Sequence, residues 1–378
     1  MRSPNGRAHD VLILGGGVAG ATVAAHLAPS LHVALLEREP QLGLHATGRS
    51  SAMFIPSYGG PEALALTAAS RTFFHEAPEL FRPRPVLHVA ASADSPKLAA
   101  LTRPPLRAQP LDSAQVLALA PILRPEAAAF GALETSAGDI DAAALHARYL
   151  QTARAHGAEI FAGVGPASID RRGDGWHVRS AGDSFAAPIL VNAAGAWADE
   201  VAASAGVEPL GLESRLRTVI LTSAPDLDGV DGWPTVMATD GSLYFRPFQG
   251  RLLVTGCDEE PSPPCDAAPS ALGVALAVDR FERMTRHRVD ATLPVRWSGL
   301  RTFAPGGAPR IGWAADAPGF FWVAGLGGFG IQTSPAVGRL AAAEIIRGRG
   351  RARRRSAATW RPSSRRCAPV KGDGAVTR

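Results

Sequence analysis

Gly15, Gly17 and Gly20 follow a short apolar run, residues 10–14 (DVLIL), and open an alanine-rich stretch that reaches about residue 28 before Pro29. Glycines at this spacing, between a strand and a helix, bring backbone against phosphate. Gly15 permits the tight turn, Gly17 lets the chain approach a pyrophosphate, and Gly20 lets helix and strand pack closely. The first helical turn, with Ala19, then presents N–H groups and a partial positive charge to the anion. A second apolar run, residues 33–36, ends at Glu37, 22 residues after Gly15. A carboxylate there holds both hydroxyls of an adenosine ribose and repels a 2′-phosphate, which disfavours NADP. The motif predicts a dinucleotide site; alone it does not separate FAD from NAD.

Two later segments favour FAD. Residues 188–197 (PILVNAAGAW) read as a strand running into small residues and a helix from Ala198. Residues 320–324 (FFWVA) read as a strand, followed by Gly325, Gly327, Gly328 and Gly330 and by a helix over 334–346 with Pro335 near its first turn. A chain that begins and ends with strand, glycine-rich turn and helix suits a long ligand held from both directions. The last helix would aim its positive end at the isoalloxazine edge, where charge accumulates on reduction. The alternative, that the late glycines serve packing alone, stays open at this point.

The elements that must position these residues need a large chain, and 378 residues suffice for two lobes. The three cysteines, Cys257, Cys265 and Cys367, have neither metal nor disulfide-framework spacing; no metal site is expected, and a reducing cytoplasm fits. Arg2 and Arg7 ahead of an apolar run imitate a secretory leader, but spaced glycines are not a leader's core. No stretch approaches the roughly 18 apolar residues that cross a bilayer. A cytoplasmic location is expected, with a peripheral position at the inner face of the membrane also open. The net charge of +5 is misleading. Residues 347–378 hold 11 Lys/Arg against one acid, Asp373, leaving 28 basic and 33 acidic residues in the rest of the chain. A basic tail on an acidic body is not a nucleic-acid groove, and residues 349–378 are expected to be disordered.

Beyond composition, the chain resembles the FAD-dependent D-amino-acid oxidase superfamily, and within it bacterial D-amino-acid dehydrogenases of the D-arginine dehydrogenase type. The resemblance rests on residues 15–20 with Glu37-Arg38, on 45–52 (HATGRSSA) and 66–71 (LTAASR), and on 138–141 (GDID). It continues through 191–197 (VNAAGAW), 297–301 (WSGLR) and 327–334 (GGFGIQTS), in family order, and stops after Ile346. It implies an α/β fold, α+β overall: a Rossmann-like FAD-binding domain over 1–75, 140–212 and 300–348, and a mixed-sheet substrate domain over 76–139 and 213–299. Thr47, Gly48, Arg49, Ser50 and Ser51 would wrap the pyrophosphate and ring edge of a non-covalent FAD, with Arg38, Ala194 and Gly195 also at the cofactor. Gly327, Gly328, Gly330, Ile331, Gln332 and Thr333 would run beside the isoalloxazine.

The chemistry implied is hydride removal from the α-carbon of a D-amino acid to flavin N5, giving an imino acid that hydrolyses to a 2-oxo acid and ammonia. The matching positions are Arg217 and Arg301 for a carboxylate clamp, Tyr58 and Tyr244 closing the pocket, and the Gly328 carbonyl receiving the amine. Arg suits the clamp because its planar fork bonds both carboxylate oxygens. Two positions depart from the arginine-type pattern: Met53 replaces an amine-binding histidine, and Val86 replaces the glutamate that pairs with a basic side chain. Valine cannot neutralise a guanidinium, so an apolar substrate side chain is expected. His88 shares a strand face with Val86, where it could replace some of the missing polarity, but it reads as an incidental histidine. A glycine, sarcosine or proline-type amine oxidase, a 2-hydroxy-acid dehydrogenase and a non-catalytic flavin-binding protein remain alternatives. The residues leave open the electron acceptor (quinone, electron-transfer protein or O2), the catalytic base and the oligomeric state.

Overall fold

The structure is a computed structural model that describes residues 7–93, 95–166, 168–180, 182–293 and 295–356. Two large sheets organise it. In the first, the strands run in the order Glu159–Phe161, Val33–Leu36, Val11–Leu14, Ile189–Asn192, Phe320–Ala324 and Arg310–Trp313. The first five are parallel and the last is antiparallel.

The central strands are apolar at consecutive positions because both faces are covered. Val11, Ile13, Val33, Leu35 and Val191 face a core shared with the helices Val18–Leu27 and Gly330–Ser356. Their neighbours Leu12, Leu14, Ala34, Leu36 and Leu190 face Trp176, Val178 and Phe185 of a four-stranded sheet on the other side. The helix Val18–Leu27 is nearly all buried, and its small residues let neighbours approach. A Cβ on Gly338 of the last helix would lie 2.2 Å from Thr22 Oγ1.

The second sheet has eight strands: Arg296–Phe303, Glu213–Ser223, Arg251–Thr255, Tyr244–Phe248, Thr235–Ala238, Val86–Ala90, Phe130–Glu134 and Gln109–Asp112. It is mixed, with Thr235–Ala238 parallel to Val86–Ala90. Alternate residues divide between two cores. Leu87, Val89, Ile220, Val236, Phe245 and Val254 pack beneath Ala277 and Phe281 of the helix Ala271–Met284. Val86, Val219, Met237 and Tyr244 face the other way, toward Ile55. Residue 300, a domain boundary in the sequence division, falls inside the strand Arg296–Phe303, so Leu300 and Arg301 belong to this sheet.

The last helix departs from expectation at both ends. It begins at Gly330, not at residue 334, and Pro335 lies inside it. Pro335 has no N–H for the Ile331 carbonyl, but the Ser334 hydroxyl donates to that oxygen at 2.9 Å. The helix also continues to Ser356, past residue 349, where disorder was expected to begin. Residues 357–378 of that tail lie outside the described residues. Among the described residues no helix is long and apolar enough to cross a membrane.

Candidate active site

A cavity of about 440 Å³ runs from the Gly15–Gly17 turn to the face of the large sheet. At its first end the strand Val11–Leu14 gives way to Gly15 at φ +108°, where a Cβ would lie 2.4 Å from the Ala193 carbonyl oxygen. Gly17, Val18 and Ala19 line the cavity, so the helix N-terminus opens into it. Gly20 does not line it: a Cβ there would stand 1.9 Å from the Gly15 carbonyl oxygen, and its part is to let the helix close on the turn. Gly48 is also absent from the wall, because it closes a tight turn by donating its N–H to the Gly43 carbonyl at 2.8 Å. Thr47 accepts the Val18 N–H at 2.9 Å. His146, which the sequence did not single out, bonds through Nε2 to the Gly16 carbonyl oxygen at 2.8 Å.

Glu37 lines the cavity and accepts the N–H groups of Gly16 at 2.6 Å and Glu39 at 2.8 Å. A carboxylate has about four lone-pair sites, so acceptor capacity remains for a ribose. Beside it the Arg38 guanidinium lies 4.5 Å from the Trp197 ring centre, and the His45 ring stands 4.5 Å from the same indole. His45 and Arg38 both bond Glu39 and hold its carboxyl below the usual range. Trp197, His45 and Glu39 were missing from the expected cofactor set, although two of them lie inside quoted motifs. Ala194 and Gly195 line the cavity as expected.

Arg49 reaches the wall, but its guanidinium is engaged by the carbonyls of Ala267 (2.7 Å) and Ser298 (3.3 Å) and by Asp266, so it braces a loop. Ser50 accepts the Ala52 N–H at 3.0 Å, and the Ser51 hydroxyl meets the Tyr244 hydroxyl at 2.5 Å. On the opposite side Gly327, Gly328, Gly330, Ile331 and Gln332 line the cavity. Thr333 does not; its position in the first helical turn points its hydroxyl back to the Phe329 carbonyl at 2.9 Å. A Cβ on Gly328 would lie 2.6 Å from Arg301 Nε, so only glycine lets this turn rest on the guanidinium.

At the sheet end, Arg217 pairs with Gly299 and Arg215 with Arg301 across antiparallel strands, which sets Arg217 and Arg301 diagonally on one face. Arg217 is 7% exposed. Its Nε donates to the Asp258 carbonyl at 2.9 Å and its Nη2 to Glu259 at 3.1 Å, while Nη1 is buried without a partner. Arg301 Nη1 donates to the Tyr58 hydroxyl at 2.9 Å. Burial works against the Arg301 charge, but Tyr58 and Tyr244 outweigh it and hold its pKa above the ordinary value. Burial likewise opposes ionisation of Tyr58, yet Arg301 and Arg217 pull its pKa down. Burial pushes Tyr244 up.

Met53, Ile55, Val219 and Met237 make the remaining wall apolar. Val86 does not reach the cavity: it is fully buried in a layer with Ile55, because residues 55–58 lie across its strand. His88 does not reach the cavity either; it is bonded to a buried carboxylate, Glu134, at 3.0 Å.

A cavity with a glycine turn and a helix N-terminus at one end and a cationic chamber at the other suits a nucleotide cofactor beside a small anionic molecule. The chain matches the FAD dependent oxidoreductase (DAO) family over residues 10–344 and belongs to it. Glycine oxidase from Geobacillus kaustophilus (strain HTA426) is 26% identical over 353 residues, 88% of this chain and 92% of that protein. A crystal structure of glycine oxidase from Geobacillus kaustophilus aligns with a TM-score of 0.76 at 25% identity, covering 90% of this chain and 95% of that one. L-proline dehydrogenase from P. horikoshii, at a TM-score of 0.80 and 19% identity, shares the fold over 91% of this chain and 95% of that one. L-α-glycerophosphate oxidase from Mycoplasma pneumoniae, solved with FAD bound, does so at 0.79 and 19%, over 90% and 95%. The chain is thus an FAD-dependent oxidoreductase, and the glycine-lined cradle with Glu37 fits that cofactor.

Proposed function

We propose that this enzyme oxidises the Cα–N bond of a small amino acid with an apolar side chain, a D-amino acid by the resemblance of its motifs. The observation that carries the reading is a pair of arginines, Arg217 and Arg301, set on one sheet face and both lining the cavity. A guanidinium fork bonds both oxygens of a carboxylate, which is the group an amino-acid substrate presents. FAD, when bound, takes up the hydride and its two electrons.

The chain's own residues orient and exclude. Arg217 and Arg301 hold the carboxylate, Tyr58 and Tyr244 close over it, and the Gly328 carbonyl takes the amine. Met53, Ile55, Val219 and Met237 accept the side chain and keep water out. Fixing Cα in this way is a proximity effect worth several kcal/mol. The imino acid released then hydrolyses to a 2-oxo acid and ammonia in water. A guanidinium or ammonium side chain finds two arginines and no acid on this apolar wall, which disfavours D-arginine and D-lysine.

A second reading, a glycine or N-alkylglycine donor, draws support from the 26% identity to glycine oxidase across most of both chains. Comparing kcat/KM for D-leucine, D-arginine, glycine and sarcosine, with ammonia and 2-oxo acid measured as products, tests both. D-leucine is expected to lead. Preference for D-arginine would overturn the apolar-pocket reading, and preference for glycine or sarcosine would replace it with the second.

A further inference from the structure

Residues 55–58 form the seam at which the two lobes meet over the substrate chamber. From the FAD side, the Gln332 side-chain oxygen accepts the Ile55 N–H at 3.0 Å. From the large sheet, Glu134 takes Ser57 by two bonds: Oε1 accepts the Ser57 N–H at 3.0 Å and Oε2 the Ser57 hydroxyl at 2.6 Å. Lys97 donates to the Ser57 carbonyl at 3.1 Å, so every polar group of Ser57 is engaged. The next residue is Tyr58, whose N–H returns to the Ile55 carbonyl at 3.1 Å. Its ring stands edge-on to Phe329, 5.1 Å away, and its hydroxyl accepts from Arg301.

The charge beneath this seam calls for a reason. Glu134, His88 and Ser57 are each at most 2% exposed. His88 Nε2 bonds Glu134 Oε2 at 3.0 Å, and His88 Nδ1 is buried without a partner. A neutral hydrogen-bonding residue could anchor a turn without the desolvation of a carboxylate. A carboxylate with two charge-assisted bonds fixes one rotamer and one backbone direction at Ser57, and so limits where the Tyr58 ring can stand.

We propose that Glu134, braced by His88, is a positioning residue for the substrate clamp: it holds Ser57 so that the Tyr58 hydroxyl stays on Arg301. This rests on the reading of Arg217 and Arg301 as a carboxylate clamp. Glu134 does not touch substrate; it acts through residues 57 and 58.

The test uses the flavin-loaded full chain with E134A, E134Q, S57A, Y58F and the double variant E134A/Y58F. E134A and Y58F are each expected to raise KM for the best amino-acid substrate roughly tenfold, with kcat changed less than about threefold. They should weaken acetate, titrated through its perturbation of the flavin spectrum, by a similar factor. E134A/Y58F is expected to be no worse than Y58F alone, and E134Q, which keeps one acceptor oxygen but not the charge, to recover only part of the loss. If E134A does not retain flavin, S57A, which removes one of the two bonds, is read in its place and should move in the same direction. Additive effects of E134A and Y58F would overturn the proposal, as would lowered thermal stability with unchanged KM and acetate affinity. Wild-type flavin that no amino acid reduces would instead overturn the substrate reading, and the acetate titration would still test Glu134.

Discussion

Arg301 and Arg217 reach the same chamber by different routes. Arg301 is held by one tyrosine hydroxyl and by a turn that only glycine can bring so close, whereas Arg217 is tied by Nε and Nη2 and leaves Nη1 buried without a partner. Arg301→Lys keeps the charge but loses the fork, and kcat/KM for the amino acid is expected to fall roughly 100-fold with bound FAD unchanged. Steady-state kinetics with flavin content measured alongside check this. Val86 supports a sharper prediction. It lies directly across from Glu134 and behind Ile55, so Val86→Glu places a second carboxylate in a dry layer. The variant is expected to lose roughly 3 kcal/mol or more of stability and to gain no D-arginine turnover, as read by denaturant unfolding and by assay. Arg301 could be singled out in the sequence because it ends the stretch 297–301 that carries the resemblance, and both arginines line the cavity. The depth of Val86 was not legible, because residues 55–58 cover it from thirty positions upstream.

At the scale of elements, the strand–turn–helix from Val11 to Leu27 was legible almost to the residue, since its glycines, apolar runs and terminal proline are all local signals. Gly20→Ala is expected to destabilise the protein by about 1–3 kcal/mol and to weaken FAD retention, because its Cβ meets the Gly15 carbonyl. Thermal unfolding and flavin content after gel filtration measure the two effects. His146, from the helix Ala142–Ala155, supports the same turn and was invisible in sequence because 130 residues separate it from Gly16. Burial depresses its pKa, and that of His26 on the adjoining helix. A histidine kept neutral in the fold takes a proton more readily when unfolded. Its contribution is therefore fully present above the ordinary value of about 6.5 and is lost as pH falls below it. Melting temperature is expected to decline from pH 7 toward pH 5, and His146→Gln, which keeps a donor for Gly16, should flatten part of that decline. The start of the last helix was misplaced because Pro335 marks a first turn by propensity, while the Ser334 hydroxyl lets the helix pass through it.

At the scale of the whole molecule, the two sheets divide the work. The parallel sheet and its helices present the glycine turns, and the mixed sheet presents arginines and apolar walls. The cavity between them draws residues from both ends of the chain. The FAD fold could be read from sequence because its segments repeat one local pattern. The packing of Trp197 on Arg38 and His45, and the seam at Ser57 with Glu134 and His88, could not, because each joins stretches far apart in the chain. The central claim, that the chamber positions an amino acid over the flavin, is tested most directly by anaerobic mixing of the FAD-loaded protein with D-leucine while the visible flavin absorbance is followed. Saturable bleaching by D-leucine, faster than by D-arginine or by the matching 2-hydroxy acid, is the predicted result. Bleaching by the 2-hydroxy acid alone, or by none of the three, would contradict it.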